Sequence, residues 1–526
     1  MNKKVPLNQK KSAPQTTHQH KGSANVAKGK PQGSFLREAF RNLFSIDLRS
    51  LALFRIGIGA LLLTDLAFRL TDLNAMYTDE GMFSRAEICR RATSIWNWSF
   101  HFASGSSTYQ AFLFALAAVL ALALLVGFET RLATIGSWLM LVSVHHRVPP
   151  ILSGAEILLR MLLFWGMFLP LQRAWSLDVW LRRRRGDPAD AGQASVFSVG
   201  TVAILLQMAL MYLFSAIFKS NTVWFGGHAL AGVLKHDFYA SPLGAWLLPF
   251  PGLLSAMTWG TFVLEWLAPF LLFSPKATSK IRLVLIAMLA AMHIGIALCL
   301  EVGLFSHVAL AGLALFLPAE FWNSRLLSRF FGRSEPAPSR DPGNQIASPA
   351  FSWSQGLCLF FLAYMLAANL NSLPSHPLAA LAPEKWKPLS RGCGLSQSWG
   401  MFDSVPSKDG WYIAKATLRD GSEVDLLREG AAVDWIKPAF PARLYPNHFW
   451  QKLFREMAYD DEQGFQLLRS PVAKFLCRRW NGQKPPDKQI VSFELIYCMQ
   501  NKGDRLIAST AQIFREPLLY LDLSGP

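Results

Sequence analysis

Lys219 is the residue of this 526-residue chain whose type and position say most about chemistry, because it lies where a long apolar run meets its polar flank. The run begins near Gln207 and the flank ends at Trp224. An ammonium group is costly inside a bilayer, so a lysine at that depth either extends to the headgroups or gives up its proton and acts as a base. The residues alone leave both interpretations open, and extension of the lysine to the headgroups is the more common of the two.

Other ionisable residues also lie inside apolar runs. His293 is predicted about 10 Å inside the end of its helix, where it forms either an interhelical hydrogen bond or part of a site. Glu156 and Arg160 are four residues apart, so they are expected to pair along one helix face. Glu265 has no evident partner in the sequence. The groups expected toward the outer half of the membrane are Asp65, Arg69, Glu156, Arg160, Lys219, His293 and Glu301.

The elements that must position these residues are membrane helices. Apolar residues make up 52% of the chain and its mean hydropathy is +0.24. Several nearly charge-free runs reach about twenty residues, which is the length that a helix needs to cross a bilayer. The sequence predicts a polytopic α-helical membrane protein with about nine transmembrane helices. The predicted spans are 51–70, 111–128, 132–144, 151–170, 199–218, 253–273, 281–300, 302–318 and 356–370.

Lys and Arg orient these spans. The N-terminal tail is basic, as are the loops after the fourth, sixth and eighth spans, and basic loops stay in the cytoplasm. The N-terminus is therefore predicted to be cytoplasmic. An odd number of spans places the chain from about Asn371 onward on the outer side. The net charge of +17 is spread over these loops and the tail, so the expected partner is the lipid bilayer and not nucleic acid.

The domain organisation follows from composition. Residues 1–45 are predicted to be a disordered basic tail, 46–320 the main transmembrane domain, 321–355 a cytoplasmic linker and 356–371 the last transmembrane helix. Residues 372–526 alternate in polarity between turn signals, which indicates an extracytoplasmic mainly-β or α+β domain. Strands are expected at 411–418, 424–427 and 490–497, with a turn at Asp420-Gly421. Helical segments are expected at 449–459 and 465–468.

Four of the six cysteines, Cys89, Cys393, Cys477 and Cys498, fall on the predicted outer side. An oxidising compartment would permit bridges among them, and three connectivities are possible. His145 and His146 could bind a metal, but no third ligand is apparent near them. No metal site is expected.

Three stretches recur in the order found in a known family. They are IDLRSLALFRIGIGALLLTDLAFRL followed by YTDEG, then HHRVPPILSGAEILLRMLLFWGMFLPLQRAWSLD, and later SQSWGMFDSVPSKDGWY. These stretches resemble the bacterial HTTM family, a membrane domain similar to vitamin K-dependent γ-glutamyl carboxylase. The resemblance covers roughly residues 45 to 440.

The resemblance implies roles for individual residues. The carboxylase pattern has a lysine five residues before a tryptophan, just after an apolar helix, and Lys219 and Trp224 reproduce it. That lysine is taken to be the base that deprotonates the quinol. The pattern also has a histidine ten residues before the glycine of a G-x-F motif, which His293 and Gly303 reproduce. We therefore take Lys219 and His293 as the candidate catalytic residues.

One part of the pattern is different here. The Asn-His pair that is proposed to hold the lysine of the carboxylase falls near Ser153, Gly154 and Ala155, and His145 or His146 could substitute for it. The resemblance also implies a disulfide between Cys89 and Cys393, which would tie the first outer loop to the soluble domain. The candidate cofactor-binding residues are His145, His146, Glu156, Arg160 and Trp224.

The function that the resemblance implies is a quinol-dependent epoxidase or carboxylase of the bacterial inner membrane, acting on an exported peptide or protein. Its cofactor would be a reduced quinone of the vitamin K or menaquinol type. A lysine desolvated at a chamber wall could take a quinol proton near neutral pH. The alternative is a non-catalytic membrane protein for peptide maturation or binding, in which the buried polar residues serve helix packing.

Overall fold

The structure is a computed structural model that describes residues 32–91, 95–186, 194–236, 238–331, 352–373, 386–404, 410–458, 465–500 and 513–523. Residues 1–31 and 332–351, which hold most of the predicted tail and linker, lie outside this range. The first eight helices in chain order are α1 (Gln32–Phe44), α2 (Leu48–Thr71), α3 (Arg85–Arg91), α4 (Ser107–Val126), α5 (Thr130–Arg147), α6 (Gly154–Gly166), α7 (Leu177–Arg184) and α8 (Val199–Phe218).

The remaining helices include several short ones. They are α9 (Thr222–Phe225), α10 (Ala229–Leu234), α11 (Pro242–Leu247), α12 (Pro251–Leu271), α13 (Thr278–Cys299), α14 (Phe305–Leu313), α15 (Ala319–Trp322), α16 (Leu327–Phe331), α17 (Trp353–Asn371), α18 (Lys387–Gly392), α19 (His448–Met457) and α20 (Arg469–Asn481). The chain divides into two units after Asn42. The first unit holds most of α1, so the region predicted to be a disordered tail through residue 45 ends in a helix. The second unit holds everything from Leu43 onward.

Five of the predicted spans are long and apolar enough to cross a membrane, namely α2, α4, α8, α13 and α17. The other four predicted spans are also helical, as α5, α6, α12 and α14. The shortest two have 13 residues in α6 and nine in α14, which continues into a 3-10 turn at Ala314–Phe316. The count of nine transmembrane helices is therefore not confirmed, whereas a multi-pass helical membrane protein is.

The short helix α6 lies at the centre of the bundle. It packs against α5, α8 and α14, and all its side chains from Leu158 to Gly166 are buried. The longer helices surround it, since α2 packs on α4 and α14, and α8 packs on α12 and α17. Because α6 is enclosed by protein on every side, its polar side chains can only be satisfied by neighbouring helices and loops.

The two ends of the bundle can be identified from contacts. At one end, strand β1 (Ile46–Asp47), before α2, pairs with strand β2 (Ser195–Val196), before α8. Ser50 at the start of α2 donates to the carbonyl of Leu317, after α14, at 2.7 Å. At the other end, Asn447 of the C-terminal region donates to Asp72, just after α2, at 2.5 Å. Helices α2 and α8 thus run in one direction and α14 runs back, which agrees with the predicted alternation.

The C-terminal region folds around an antiparallel sheet of β3 (Gly410–Leu418), β4 (Glu423–Asp425), β5 (Ala431–Ala432), β6 (Ile490–Gln500) and β7 (Ile513–Asp522), in the order β5-β4-β3-β6-β7. Trp411 of β3 faces Cys498 of β6. Helix α19 covers the sheet through Phe454, whose ring meets Tyr412 edge-on at 5.0 Å. The strands predicted at 411–418 and 490–497 and the helical segments are present, although residue 459 lies outside the described residues. The strand predicted at 424–427 ends at Asp425 and continues as a 3-10 turn, Leu426–Arg428. Strands β5 and β7 and helix α20 were not predicted, and the region is an α+β domain.

The placement of the C-terminal region at one end of the bundle predicts the membrane topology. We expect alkaline phosphatase fused after Pro526 to be active and a cytoplasmic fluorescent reporter at the same place to be dark, because the C-terminal sheet lies at the end of the bundle opposite the basic loops. Fusions after Arg185 serve as the control and should behave in the reverse manner. An inactive phosphatase with a bright fluorescent reporter after Pro526 would contradict the orientation.

Candidate functional site

Lys219 is a buried ion-pair partner in the structure. It directly follows α8, which presents Tyr212, Ser215 and Lys219 at intervals of three and four residues and so on one face. The Lys219 ammonium donates to Ser215 Oγ at 2.8 Å and to both carboxylate oxygens of Glu265 at 2.7 Å. Lys219 and Glu265 are each 5% exposed. A lysine has three N–H donors, and all three are used here. Lys219 therefore does not extend to the membrane surface.

Glu265 is the residue that sequence reasoning missed as a functional partner. It lies on α12, which packs against α8, 46 positions further along the chain. Removing two charges from water is costly unless they pair closely and their remaining hydrogen-bonding capacity is satisfied. An unpaired acid and an unpaired lysine in neighbouring apolar runs were the available signal. In the structure Glu265 and Ser215 accept from all three donors of Lys219, and substitution of the Asn-His pair by His145 or His146 stays a prediction.

Trp224 ties this pair to the C-terminal region. Its ring centroid lies 5.0 Å from Lys219 Nζ, and its indole N–H donates to the carbonyl of Phe402 at 2.8 Å. Asn221 donates to the carbonyl of Asp403 at 2.6 Å and caps α9 with its side-chain oxygen. The turn that follows Lys219 is therefore fixed to residues 400–404. A cation beside an aromatic face gains further electrostatic attraction.

His293 joins the same group. The hydroxyl of Tyr212 lies 2.9 Å from His293 Nε2, and the imidazole packs edge-on against Phe305. His293 is 1% exposed, and its Nδ1 has no hydrogen-bond partner among the described residues. Tyr212 thus links His293 to the face of α8 that ends at Lys219. We call Lys219, Glu265, Tyr212 and His293 the lysine cluster.

A second polar group, the arginine cluster, comprises Asp65, Arg69, Tyr77, Glu156 and His448. Arg69 donates to Asp65 at 2.7 Å and to the Tyr77 hydroxyl at 3.0 Å. Its Nη2 lies 3.9 Å from Glu156 Oε1, and Nε2 of His448 lies 4.0 Å from the same oxygen. Burial lowers the pKa of His448, although Glu156 and Asp65 act in the opposite direction. The cluster joins α2 and α6 to α19 of the C-terminal domain.

Glu156 and Arg160 use different partners from those that their spacing predicts. Glu156 accepts from the backbone N–H and the hydroxyl of Ser153, both at 2.6 Å, and completes a capping box at the start of α6. Arg160 donates to the carbonyl of Ser396 at 2.8 Å. Gly394 has φ of +60°, and a Cβ there would lie 2.9 Å from Arg160 Cδ, so a glycine is required beside the guanidinium.

A cavity of about 330 Å³ lies between the bundle and the C-terminal domain. Its walls come from the start of α6, the turn before α14, residues 400–404 and helix α19. Phe305, which contacts His293, and Phe402, which accepts from Trp224, both belong to the wall. Lys219 and His293 are not among the residues that line this cavity, because His293 lies behind Phe305 and Lys219 lies behind Trp224. The polar lining residues are Ser153, Tyr239, Glu301, Asp403, Ser404, His448, Gln451, Lys452 and Arg455.

The two remaining histidine candidates lie at the end of α5. His145 is fully buried, and neither ring nitrogen has a hydrogen-bond partner within the described part of the chain. His146 Nδ1 lies 2.8 Å from the carbonyl of Trp98. The described residues contain no group of three or more His, Cys, Asp or Glu side chains placed to hold a metal.

All six cysteines are free thiols in the structure, including the exposed Cys89 and the half-buried Cys393. The bridge implied by the resemblance is thus not formed in it, but the two segments do meet. The indole of Trp98 donates to the carbonyl of Gly392, the neighbour of Cys393, at 2.8 Å. The Cys89–Cys393 bridge stays a prediction.

Comparison with known proteins gives one match. The family model described as the HTTM domain matches residues 44–322, which is just over half of the chain. No curated protein and no solved structure matches the chain. The matched region contains Lys219, Glu265 and His293, whereas His448 and residues 400–404 lie beyond it.

The cysteines allow a direct test. We expect non-reducing peptide mapping of protein purified from an oxidising compartment to yield a Cys89–Cys393 cross-linked peptide. Cys477 and Cys498 provide the control, because burial raises their pKa values to about 12 and about 11 and they should resist maleimide in the folded protein. Maleimide labelling of both Cys89 and Cys393 without any reductant would contradict the predicted bridge.

The Lys219–Glu265 ion pair can be tested by comparing the stabilities of single and double variants. Glu265→Gln should cost roughly 3–5 kcal/mol of folding free energy, because it leaves the Lys219 ammonium buried without a counter-charge. The double variant Lys219→Met/Glu265→Leu should recover most of that loss. The measurement is the melting temperature in detergent. Glu423→Gln is the control, since its 2.8 Å pair with Lys415 is half-exposed and worth about 0–1 kcal/mol. Equal shifts for Glu265→Gln and Glu423→Gln would contradict the assignment.

Proposed function

The chain belongs to the HTTM family, and from that premise we propose that it is a membrane enzyme that moves a proton through the Lys219–Glu265 pair. The HTTM domain occurs in membrane proteins of the vitamin K-dependent carboxylase type. The proposed reaction is a quinol-dependent modification of an exported peptide or protein. The proposed location is the bacterial inner membrane, with the C-terminal domain facing outward.

The observation that carries this proposal is the complete set of hydrogen bonds around Lys219. Its ammonium is 2.7 Å from a carboxylate that is itself a proton acceptor. Transfer of one proton from Nζ to Glu265 would leave a neutral amine with a free lone pair. Burial favours such an exchange relative to water, because desolvation penalises the two charges of the ion pair more than the neutral pair. The amine could then accept a proton from a hydroxyl group placed beside it.

The surroundings fit a reduced quinone. A quinol needs apolar surfaces for its ring and polar partners for its hydroxyl groups. Trp224 supplies aromatic surface beside Lys219, and Phe305 supplies it beside His293. Nδ1 of His293 is buried without a partner among the described residues, as expected of a group that receives a ligand hydroxyl. Lys219 and His293 would therefore hold the hydroxyl groups. When bound, a reduced quinone supplies two electrons and a transferable proton.

The cavity supports a polar peptide segment as the second substrate. Glu301 and Asp403 give it negative charge, and Lys452 and Arg455 give it positive charge. Arg455 is held in place by Glu456 at 3.2 Å and by the hydroxyl of Tyr239 at 2.6 Å. Since residues 400–404 form the wall between this cavity and Trp224, a peptide bound there would adjoin the lysine cluster. The C-terminal domain would then present the peptide.

A second candidate function is supported by the same ion pair. A lysine whose three donors are all satisfied is also what helix packing requires, and Lys219 meets that condition. On that basis the chain would bind or mature a peptide without chemistry. The two functions differ in whether Lys219 must give up a proton, so one substitution separates them.

The test is Lys219→Arg, assayed by epoxidation of vitamin K hydroquinone or menaquinol with and without a glutamate peptide. An arginine keeps the charge and can pair with Glu265, but it does not give up its proton. We expect the fold to survive and turnover to fall by about 10²- to 10⁴-fold, the usual contribution of a general base. Lys235→Arg, an exposed lysine outside the cluster, is the matched control and should keep full turnover.

Two outcomes would overturn the proposal. Full turnover by Lys219→Arg would show that Lys219 is not the base. A wild-type protein that is folded and binds peptide, yet oxidises neither quinol, would favour the non-catalytic function.

A further inference from the structure

A second large cavity lies at the opposite end of the bundle from the C-terminal domain. It has a volume of about 760 Å³ and opens between the start of α2, the end of α4 and α7. Three arginines and two tryptophans are among its lining residues. The lining side chains used below are Asp47, Arg49, Val126, Arg173, Trp175, Leu177, Trp180, Arg183 and Phe331.

The wall of this cavity is fixed by a buried arginine. Arg55 of α2 is fully buried and donates to the carbonyls of Leu171, Ala174 and Trp175 at 3.0, 3.1 and 2.6 Å. Trp175 adopts φ of +47°, a conformation that a non-glycine residue holds only when its surroundings impose it. Its ring packs against Phe331 at 4.9 Å and Trp322 at 5.4 Å. The cavity is therefore shaped before any ligand arrives.

The charge of the lining is positive. The described lining residues include three arginines, Arg49, Arg173 and Arg183, and one acid, Asp47, which lies 2.9 Å from Arg49. Arg183 is exposed at the end of α7. Trp180 on the same helix is 47% exposed, and Arg184 lies over its ring at 4.0 Å. Exposed tryptophan beside arginine is typical of the membrane–water interface.

Apolar side chains form the side of the cavity that continues onto the bundle surface. Val126 ends the membrane helix α4 and is 40% exposed, and Leu177 of α7 is 36% exposed. A ligand that fits must therefore combine an anionic group with an apolar part that runs along α4. A soluble anion would satisfy only the arginines.

We infer that this cavity binds the phosphodiester headgroup of an anionic glycerophospholipid. Arginine matches phosphate oxygens geometrically and keeps its charge at all relevant pH values. Basic pockets between membrane helices are suited to anionic headgroups, and Trp175 and Trp180 line the same cavity as the arginines. The acyl chains would lie against Val126 and Leu177. The site is independent of the Lys219 chemistry, so either assignment can fail alone.

The experiment uses the full chain in detergent, with native mass spectrometry to count bound lipid. The probes are phosphatidylglycerol and phosphatidylcholine with identical acyl chains. We expect phosphatidylglycerol to be retained in preference to phosphatidylcholine. Arg183→Glu should lower the fraction of protein with bound phosphatidylglycerol roughly tenfold, as the loss of a charge-assisted hydrogen bond implies. Arg183 is exposed, so this variant should fold.

Arg185→Glu is the matched control. It makes the same charge change at an exposed residue that follows α7 and does not line the cavity, so it should leave the bound fraction within about a factor of two. Equal losses in both variants would show diffuse attraction instead of a site. Equal retention of the two lipids would overturn the inference, as would displacement of phosphatidylglycerol by inorganic phosphate, which would identify a free-phosphate site.

Discussion

The buried ion pair of Lys219 and Glu265 is the interaction on which the arrangement of this bundle depends. Either residue alone would be an uncompensated charge in an apolar interior, so α8 and α12 must be adjacent and at a fixed height. That constraint also fixes Tyr212 and Ser215 on the α8 face, and through Tyr212 it fixes His293 of α13. Three helices are thereby brought into register by one pair of opposite charges.

Several other buried cations are satisfied differently, although the arginines Arg49 and Arg69 also face carboxylates. Arg55 and Arg147 donate to backbone carbonyls, as do Arg160 and Arg282. A carbonyl compensates a charge but cannot take its proton, and an arginine does not release one. Those arginines can therefore only hold chain segments together. Lys219 faces a carboxylate, so it can exchange a proton as well as bind. The difference in partner separates a site that could do chemistry from sites that stabilise the fold.

Much of this arrangement could be predicted from the sequence, and the reasons for the rest are physical. Apolar runs predict helices because their lengths match the bilayer, and all nine predicted spans are helical, with five long and apolar enough to cross it. Strand β7 was not predicted because it contains Pro517, and proline within a sheet is confined to edge strands and irregular positions. Pro517 pairs with Ile496, next to the register shift after Leu495. The partner of Lys219 could not be predicted from the sequence, since contact between α8 and α12 depends on how the helices pack. Glu156 and Arg160 show the same limit, because local spacing permits a pair that tertiary partners replace.

The C-terminal domain is joined to both polar clusters. His448 of α19 approaches Glu156 in the arginine cluster, and residues Phe402 and Asp403 accept hydrogen bonds from the turn after Lys219. Displacement of residues 400–404 by a bound peptide would therefore act directly on Trp224, whose ring stands beside the ammonium. This wall lies beyond the matched HTTM region, so the family domain holds Lys219 and Glu265 and the C-terminal region supplies residues 400–404 that adjoin them through Trp224.

The change from the carboxylase pattern has an electrostatic consequence. An Asn-His pair would leave a protonated lysine as a net cation, whereas Glu265 makes the resting cluster neutral overall. A neutral cluster is less costly to bury, which suits a lysine that is 5% exposed. Uptake of one further proton would convert the neutral cluster into a net cation within the same apolar wall. The cost of burying that net charge is what a neutral resting pair avoids.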